Sequence, residues 1–339
     1  EFGMFVSLDD GATWHEFQQN LGVTPVTDIR VVRGDLAIST MGRSFWVLDN
    51  ISTLRQDGFD TAGDDVMLFR PKDTIRYRNV YTGQDDADVP DYPPPAAVID
   101  YFLPADFDGA VKLEILDAAG DVVNAYEATD EDAGAENEAI EDMALSQVRV
   151  IADQSLSAAP GMNRFRWDMT HFGPWHEDVD RRFTRGPMAR PGTYSLRLTA
   201  GDDVVSSELT LVADPRVLAQ GTTLQDIEDQ VQFELVVVDL LSDVRRFQQQ
   251  VVAEHDALEA RRESLSPDEA SRLLSVADVL EQVRTAKIIY PQPMLADQVQ
   301  YLYNMVNKAD QAPGVEAADR YAALAAEFAE LRERYETGS

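Results

Sequence analysis

From Met4 to Leu48 the chain runs in short apolar or alternating stretches cut by turn residues. Met4–Leu8, Thr13–Phe17, Thr27–Val32, Asp35–Thr40 and Ser44–Leu48 read as strands, separated by Asp10-Gly11, Gly22, Arg33-Gly34 and Met41-Gly42-Arg43. A second strand-rich stretch begins at Ala97. It comprises Val98–Leu103, Val111–Leu116, Val122–Tyr126, Gly161–Met169, Gly192–Ala200 and Val204–Val212, with Gly/Asp turns at 118–121 and 201–203. Between the two, Leu54–Pro95 carries turn signals and the extended run Tyr92-Pro93-Pro94-Pro95, in which proline fixes its own backbone and biases the residue before it.

After Asp214-Pro215-Arg216 the period changes from two to 3.6. Apolar residues recur at Leu224, Ile227, Val231, Val238, Leu241, Val244, Phe247, Val251 and Leu258, with the stripe drifting by one position near Ser242. Thr223 is the N-cap candidate of this helix of roughly 40 residues, about 60 Å long. Ser266-Pro267-Asp268-Glu269 opens a second helix, expected to reach Ile289 before Pro291-Gln292-Pro293. A third is expected over about 294–309 and a fourth over about 315–335, parted by Ala312-Pro313-Gly314. Amphipathic helices of this kind bury their stripes on one another, which gives an antiparallel helical bundle or a long helical hairpin.

The reading is thus multidomain, β then α. Residues 1–53 suit the last blade of a truncated β-propeller, with an extra strand belonging to a neighbouring blade. Residues 54–96 are a connector, and 97–215 an immunoglobulin- or fibronectin-like β-sandwich with an acidic insertion at 127–146. Residues 216–339 are the helical domain. Because the chain opens directly on a strand, it is expected to be the C-terminal part of something longer.

Charge narrows the partners. Across 339 residues, 29 Lys+Arg stand against 61 Asp+Glu, a net charge of −32, while 44% hydrophobic residues mark a folding chain. Nucleic acid needs a basic footprint and an anionic lipid surface needs a cationic one, so both are disfavoured. Only Lys72, Lys112, Lys287 and Lys308 are lysines; the other 25 cations are arginine. Such a surface fits a protein working in brine, and equally a GC-rich genome. The absence of cysteine excludes disulfides, thiol nucleophiles and thiolate zinc sites. The apolar run 235–241, broken by Asp239, is too short to span a bilayer, and no signal peptide is visible.

Ser7-Leu8-Asp9-Asp10-Gly11-Ala12-Thr13-Trp14 fits S-x-D-x-G-x-T-W at every fixed position. In a hairpin with this spacing Asp9 can fold back onto turn N–H groups, Gly11 supplies a positive φ, and Trp14 is expected to pack over the turn against the next strand. This is the Asp-box, or BNR repeat. The motif is structural: Ser7, Asp9, Gly11, Thr13 and Trp14 staple the hairpin. The chain resembles large bacterial exported Asp-box proteins labelled sortilin-like or "glycosyl hydrolase, BNR repeat". Further similar phrases are Val23-Thr24-Pro25-Val26-Thr27-Asp28, Thr40 to Asp49, Leu54-Arg55-Gln56, Gly161 to Asp168, Pro191-Gly192-Thr193-Tyr194, Asp214-Pro215-Arg216 and Tyr290-Pro291. The resemblance implies an extracytoplasmic location and further propeller blades upstream, against which this part packs. It also implies a non-catalytic interaction or scaffolding role, with a protein partner or a homodimer formed through the helices. The rival it implies is a sialidase- or xyloglucanase-like glycoside hydrolase whose active site lies mainly in other blades.

Candidate chemistry is sparse. Arg43, in a Gly-Arg-Ser turn, either faces a ligand or pairs with Asp49 or a neighbouring carboxylate. No two carboxylates among Asp28 and Asp49 can be assigned acid and base roles. His171-Phe172-Gly173-Pro174-Trp175-His176-Glu177-Asp178 is the densest polar-aromatic cluster. Its spacing fits no helix-borne metal pattern; it reads as a loop that packs Trp175 onto a neighbouring domain, with sugar stacking on Trp175 as the alternative. His171, Trp175 and His176 are therefore the ligand-facing candidates. Residues 121–142 hold nine acids and no Lys or Arg, but Gly134 and Ala135 break a calcium-loop pattern. No catalytic residue, metal site or cofactor is expected.

Overall fold

The computed structural model describes residues 3–56, 59, 63, 65–78, 95–128 and 155–338. β-Structure comes first and a region of five helices follows, as the sequence pattern implies. Strands β1 (Phe5–Val6) and β2 (His15–Glu16) form a two-stranded ribbon. β3 (Val26–Val32), β4 (Asp35–Thr40) and β5 (Phe45–Leu48) form a separate antiparallel sheet. Residues 3–48 are thus divided between two sheets rather than one. Arg33 and Gly34, with φ of 54° and 83°, join Val32 to its partner Asp35. Two successive left-handed residues give the tight hairpin turn whose twist matches its strands.

The stretch expected to be a connector also supplies strands. β6 (Met67–Leu68) pairs with β8 (Ala97–Leu103), whose other neighbour is β11 (Gly161–Trp167). β7 (Thr74–Arg76) runs parallel to β13 (Asp203–Ala213), on the edge of a five-stranded sheet ordered β10-β9-β12-β13-β7. There β9 is Val111–Leu116, β10 is Val122–Glu127 and β12 is Gly192–Ala200. Strands of two or three residues leave almost no periodicity to read, so only their pairing reveals them. Glu127 closes β10, whereas residues 129–146 of the acidic insertion, like Tyr92, Pro93 and Pro94, lie outside the described residues.

Alternate residues of the five-stranded sheet and of the β11-β8-β6 sheet point into one core. Ala97, Ile99, Tyr101 and Leu103 of β8 are wholly buried with Val111, Leu113 and Ile115 of β9 and Leu196 and Leu198 of β12. Trp167 meets Tyr194 edge-on at 5.7 Å, and its Nε1 donates to the Thr170 carbonyl. Each buried side chain of this size contributes about 1.5–3 kcal/mol, so this core holds these two sheets together.

Helix α1 (Pro215–Ala219) is a single turn capped by Asp214. α2 (Leu224–Glu259) and α3 (Pro267–Val283) both open with capping boxes, Thr223 with Asp226 and Ser266 with Glu269. α4 (Leu295–Val306) and α5 (Val315–Thr337) follow. α3 stops six residues before Ile289, because Val283 is its last buried residue and nothing from Ile288 to Tyr290 finds a core. The helices share a second core, in which Phe247 of α2 meets Phe328 and Tyr335 of α5 edge-on at 5.6 and 5.3 Å.

Polar clamps join the regions. Asp100 of β8 accepts from the Thr53 hydroxyl at 2.6 Å and takes both Nε and Nη2 of Arg164. Lys72 reaches Asp35 at 2.9 Å.

Candidate functional site

The turn at residues 7–14 closes on itself. Asp9 Oδ1 accepts from the Ser7 hydroxyl and the Thr13 amide, both at 2.8 Å, and Oδ2 accepts from the Thr13 hydroxyl at 2.6 Å. Ser7 Oγ in turn accepts the Gly11 amide at 2.7 Å. Gly11 sits at φ 91°, where a side chain would be strained. The Trp14 ring lies beside Gly11 but is 63% exposed, so it covers the turn on one side without being packed into a neighbouring strand. Side-chain and backbone bonds from Thr13, helped by Ser7, hold the Asp9 carboxyl down at about 2. These bonds to the Asp9 carboxylate all come from within the turn, which is the work of a staple. Asp9→Ala is expected to speed amide exchange at Gly11 and Thr13 several-fold without unfolding the β core. Because the folded pKa is depressed, this protection should be complete above about 3.8 and be lost as pH falls through about 2, a window that pH-dependent exchange by NMR would read.

Arg43 lies in the turn after β4, on a different sheet from the histidine loop. Its carbonyl accepts from Trp46 Nε1 at 2.8 Å, and its guanidinium lies across Gly22. It pairs with neither Asp49 nor any other carboxylate among the described residues; Asp49 instead offers its carbonyl to Arg164 at 3.5 Å.

The loop at 171–182 docks on helix α2. Trp175 donates its amide to Ser242 Oγ at 2.9 Å, and its carbonyl accepts from Arg245 Nη1 at 3.0 Å. Arg245 also reaches Gln300 of α4, and burial pulls its guanidinium down to about 10, still charged at neutral pH. Trp175 and His176 line an open groove of about 580 Å³ with Phe172, Glu177, Asp178 and Arg181. His171 is not among its lining residues; its amide bonds the Pro187 carbonyl instead. Burial, then Arg245, lowers the His176 pKa. The aromatic faces already carry cations: Arg246 lies 5.5 Å from the Trp175 ring centre and Arg181 5.9 Å from that of Phe172. A sugar stacking on the face that Arg246 covers would have to displace that contact. Among the described residues no group of three His, Asp or Glu is placed to hold a metal ion.

A second cluster, absent from the sequence reading, lies where β7 meets the helices. Arg76, wholly buried, donates to Asp310 Oδ2 and the Ala189 carbonyl, each at 2.7 Å. Arg78 donates to Asp310 Oδ1 at 2.7 Å and Asn307 Oδ1 at 2.7 Å, and approaches Glu234 of α2 at 3.5 Å. Burial pushes the Asp310 carboxyl up, but Arg76 and Arg78 outweigh it and hold it below the usual range. Glu234 has the opposite balance. Its burial dominates, and the carboxyl rises to about 7 despite Arg78 and the 2.8 Å bond from Gln230. One signal was available: Gln230 and Glu234 are polar residues on the buried face of α2, three and seven positions after Ile227. Nothing local marks Arg76 as their neighbour.

No protein-family model matches the chain, and no curated protein matches it. Among the described residues no helix is long and apolar enough to cross a membrane.

Proposed function

We propose that this chain is a non-catalytic interaction and scaffolding region of an exported Asp-box propeller protein of the sortilin-like kind. In this reading the β1–β2 ribbon and the β3–β5 sheet are propeller blade elements, and the five-stranded sheet with the β11-β8-β6 sheet is an immunoglobulin-like sandwich. The helices are an arm fixed to that sandwich by the Asp310 and Trp175 junctions. The observation that carries it is the two-sided apolar character of β3–β5. Ile29, Val31, Leu36, Ile38, Trp46 and Leu48 align on one face; Val32, Ala37, Phe45 and Val47 lie on the other, interleaved with Asp28, Arg30, Asp35 and Ser39. Ile29, Val31, Val32 and Val47 are all at least half exposed, and Phe45 is 82% exposed. A three-stranded sheet with apolar residues on both faces is built to be stacked between others, as a blade is. The occupants proposed here are neighbouring blades of the same protein. The turn at residues 7–14, whose side-chain bonds close on its own backbone, supports a structural role.

Hydroxyl-radical labelling tests this. Met41 and Phe45 should label strongly in this chain and become protected in the full-length gene product. Equal labelling in both would overturn the blade reading.

A further inference from the structure

We propose that residues 284–294 join two copies of this chain, each copy seating its Ile289–Tyr290 tip in the cleft beside the other's tip. The loop leaves α3 at Val283 and returns to α4 at Leu295. Its end is pinned by the Met294 amide on Thr285 Oγ1 at 2.9 Å, and Pro291 and Pro293 stiffen it. A pre-ordered loop loses little entropy on docking. Ile288, Ile289 and Tyr290 are 65%, 88% and 91% exposed, three large side chains in succession that no part of the helical core covers. Beside Ile289 and Tyr290 opens a cleft of about 480 Å³ lined by Ile288 itself with Ala277, Leu280, Glu281, Arg284 and Met294.

Knob and hole thus lie side by side on one patch. A two-fold axis through such a patch places each knob over the partner's hole, so one surface satisfies itself twice. Charge supports the same occupant. Residues 284–294 contain Arg284 and Lys287 and no acid, within a chain of net charge −32. Neither cation has an ion-pair partner among the described residues, and neither does Glu281. Two-fold pairing brings the cations of one copy towards the unpaired Glu281 of the other. An anionic lipid surface could also take a cationic, apolar tip; the net charge of −32 opposes lipid and a second copy alike, and what favours the copy is the fit of tip and cleft together with the local pairing of Arg284 and Lys287 with Glu281.

This proposal deepens the scaffolding reading by naming the arm's partner, and it is tested apart from the blade reading, which is read at residues 26–48. Sedimentation equilibrium of the whole chain over a concentration series should show a monomer–dimer equilibrium. Ile289→Asp and Tyr290→Ser should each weaken it about tenfold or more, as hot-spot residues do. Both positions are exposed, so thermal melting at low concentration should not change. Glu281→Arg should weaken the dimer, and adding Lys287→Glu should restore it. A chain that stays monomeric at the highest concentration would overturn the proposal. So would a dimer indifferent to the tip variants, or a monomer whose tip instead carries it onto anionic vesicles.

Discussion

Asp310→Ala is expected to destabilise the protein by about 3–5 kcal/mol, read as the loss in urea-unfolding free energy. The carboxylate is the charge partner of Arg76 and is shared with Arg78. Arg76 is wholly buried, and its Nη2 already has no partner. Without Asp310 it would keep one bond, to the Ala189 carbonyl. A buried cation stripped of its counter-charge is among the costliest single defects a core can hold. The effect should also be regional. Arg76 belongs to β7 and Asp310 to the segment between α4 and α5, so hydrogen exchange should rise first where the helices meet the β region. The double variant Arg76→Met with Asp310→Leu should be less damaging than Asp310→Ala, because it removes the buried charges together. A double variant as unstable as the sum of its parts would show the pair to be energetically independent.

Glu234→Gln should change the pH profile more than the fold. The Glu234 carboxyl faces Arg78, Arg76 and Asp310 from the junction, Gln230 from its own helix and Tyr303 from α4. Its folded pKa, about 7, lies above 4.5, the ordinary glutamate value that holds in the unfolded chain. Below 4.5 both states hold the proton and there is no penalty. Between 4.5 and about 7 the unfolded chain ionises while the folded one resists, so stability falls as pH rises and levels off above 7. A rise of this size corresponds to at most about 3 kcal/mol. Asp310 works with the opposite sign. Its depressed pKa gives stability that is present above 3.8 and is lost as pH falls. With Gln at 234 the acceptor oxygen towards Gln230 and Arg78 is kept and the ionisation is gone. Unfolding free energy should then lose its decline between pH 4.5 and 7, and the variant should be the more stable protein at pH 8. An unchanged slope in that window would show that Glu234 stays ionised in the folded state.

The legible parts of this chain were those where local periodicity and local energetics agree. β9 and β12 run over the residues their alternation marks out, and Thr223 and Ser266 cap helices because a side-chain oxygen three residues from an unpaired N–H is a local solution. The Asp-box bonds also span only two to four residues, so the motif itself specifies them. The end of α3 was misjudged because Ile288 and Ile289 continue an apolar pattern that finds nothing to bury against.

Among the candidate site residues, the sequence grouped His171, Trp175 and His176, yet only the last two reach the groove, where Arg246 meets the tryptophan from a helix some seventy residues on. By itself the amino-acid sequence determined the order of β and α regions, the caps, the tight turns and the self-contained Asp9 staple, since each depends on neighbours within a turn or a strand. Tertiary structure alone decided that Arg76 and Arg78 would share Asp310 across more than two hundred residues, that Glu234 would lose its water, and that Val283 rather than Ile289 would end a helix. Charge pairing and desolvation depend on which surfaces the folded chain brings together, and no local pattern encodes that.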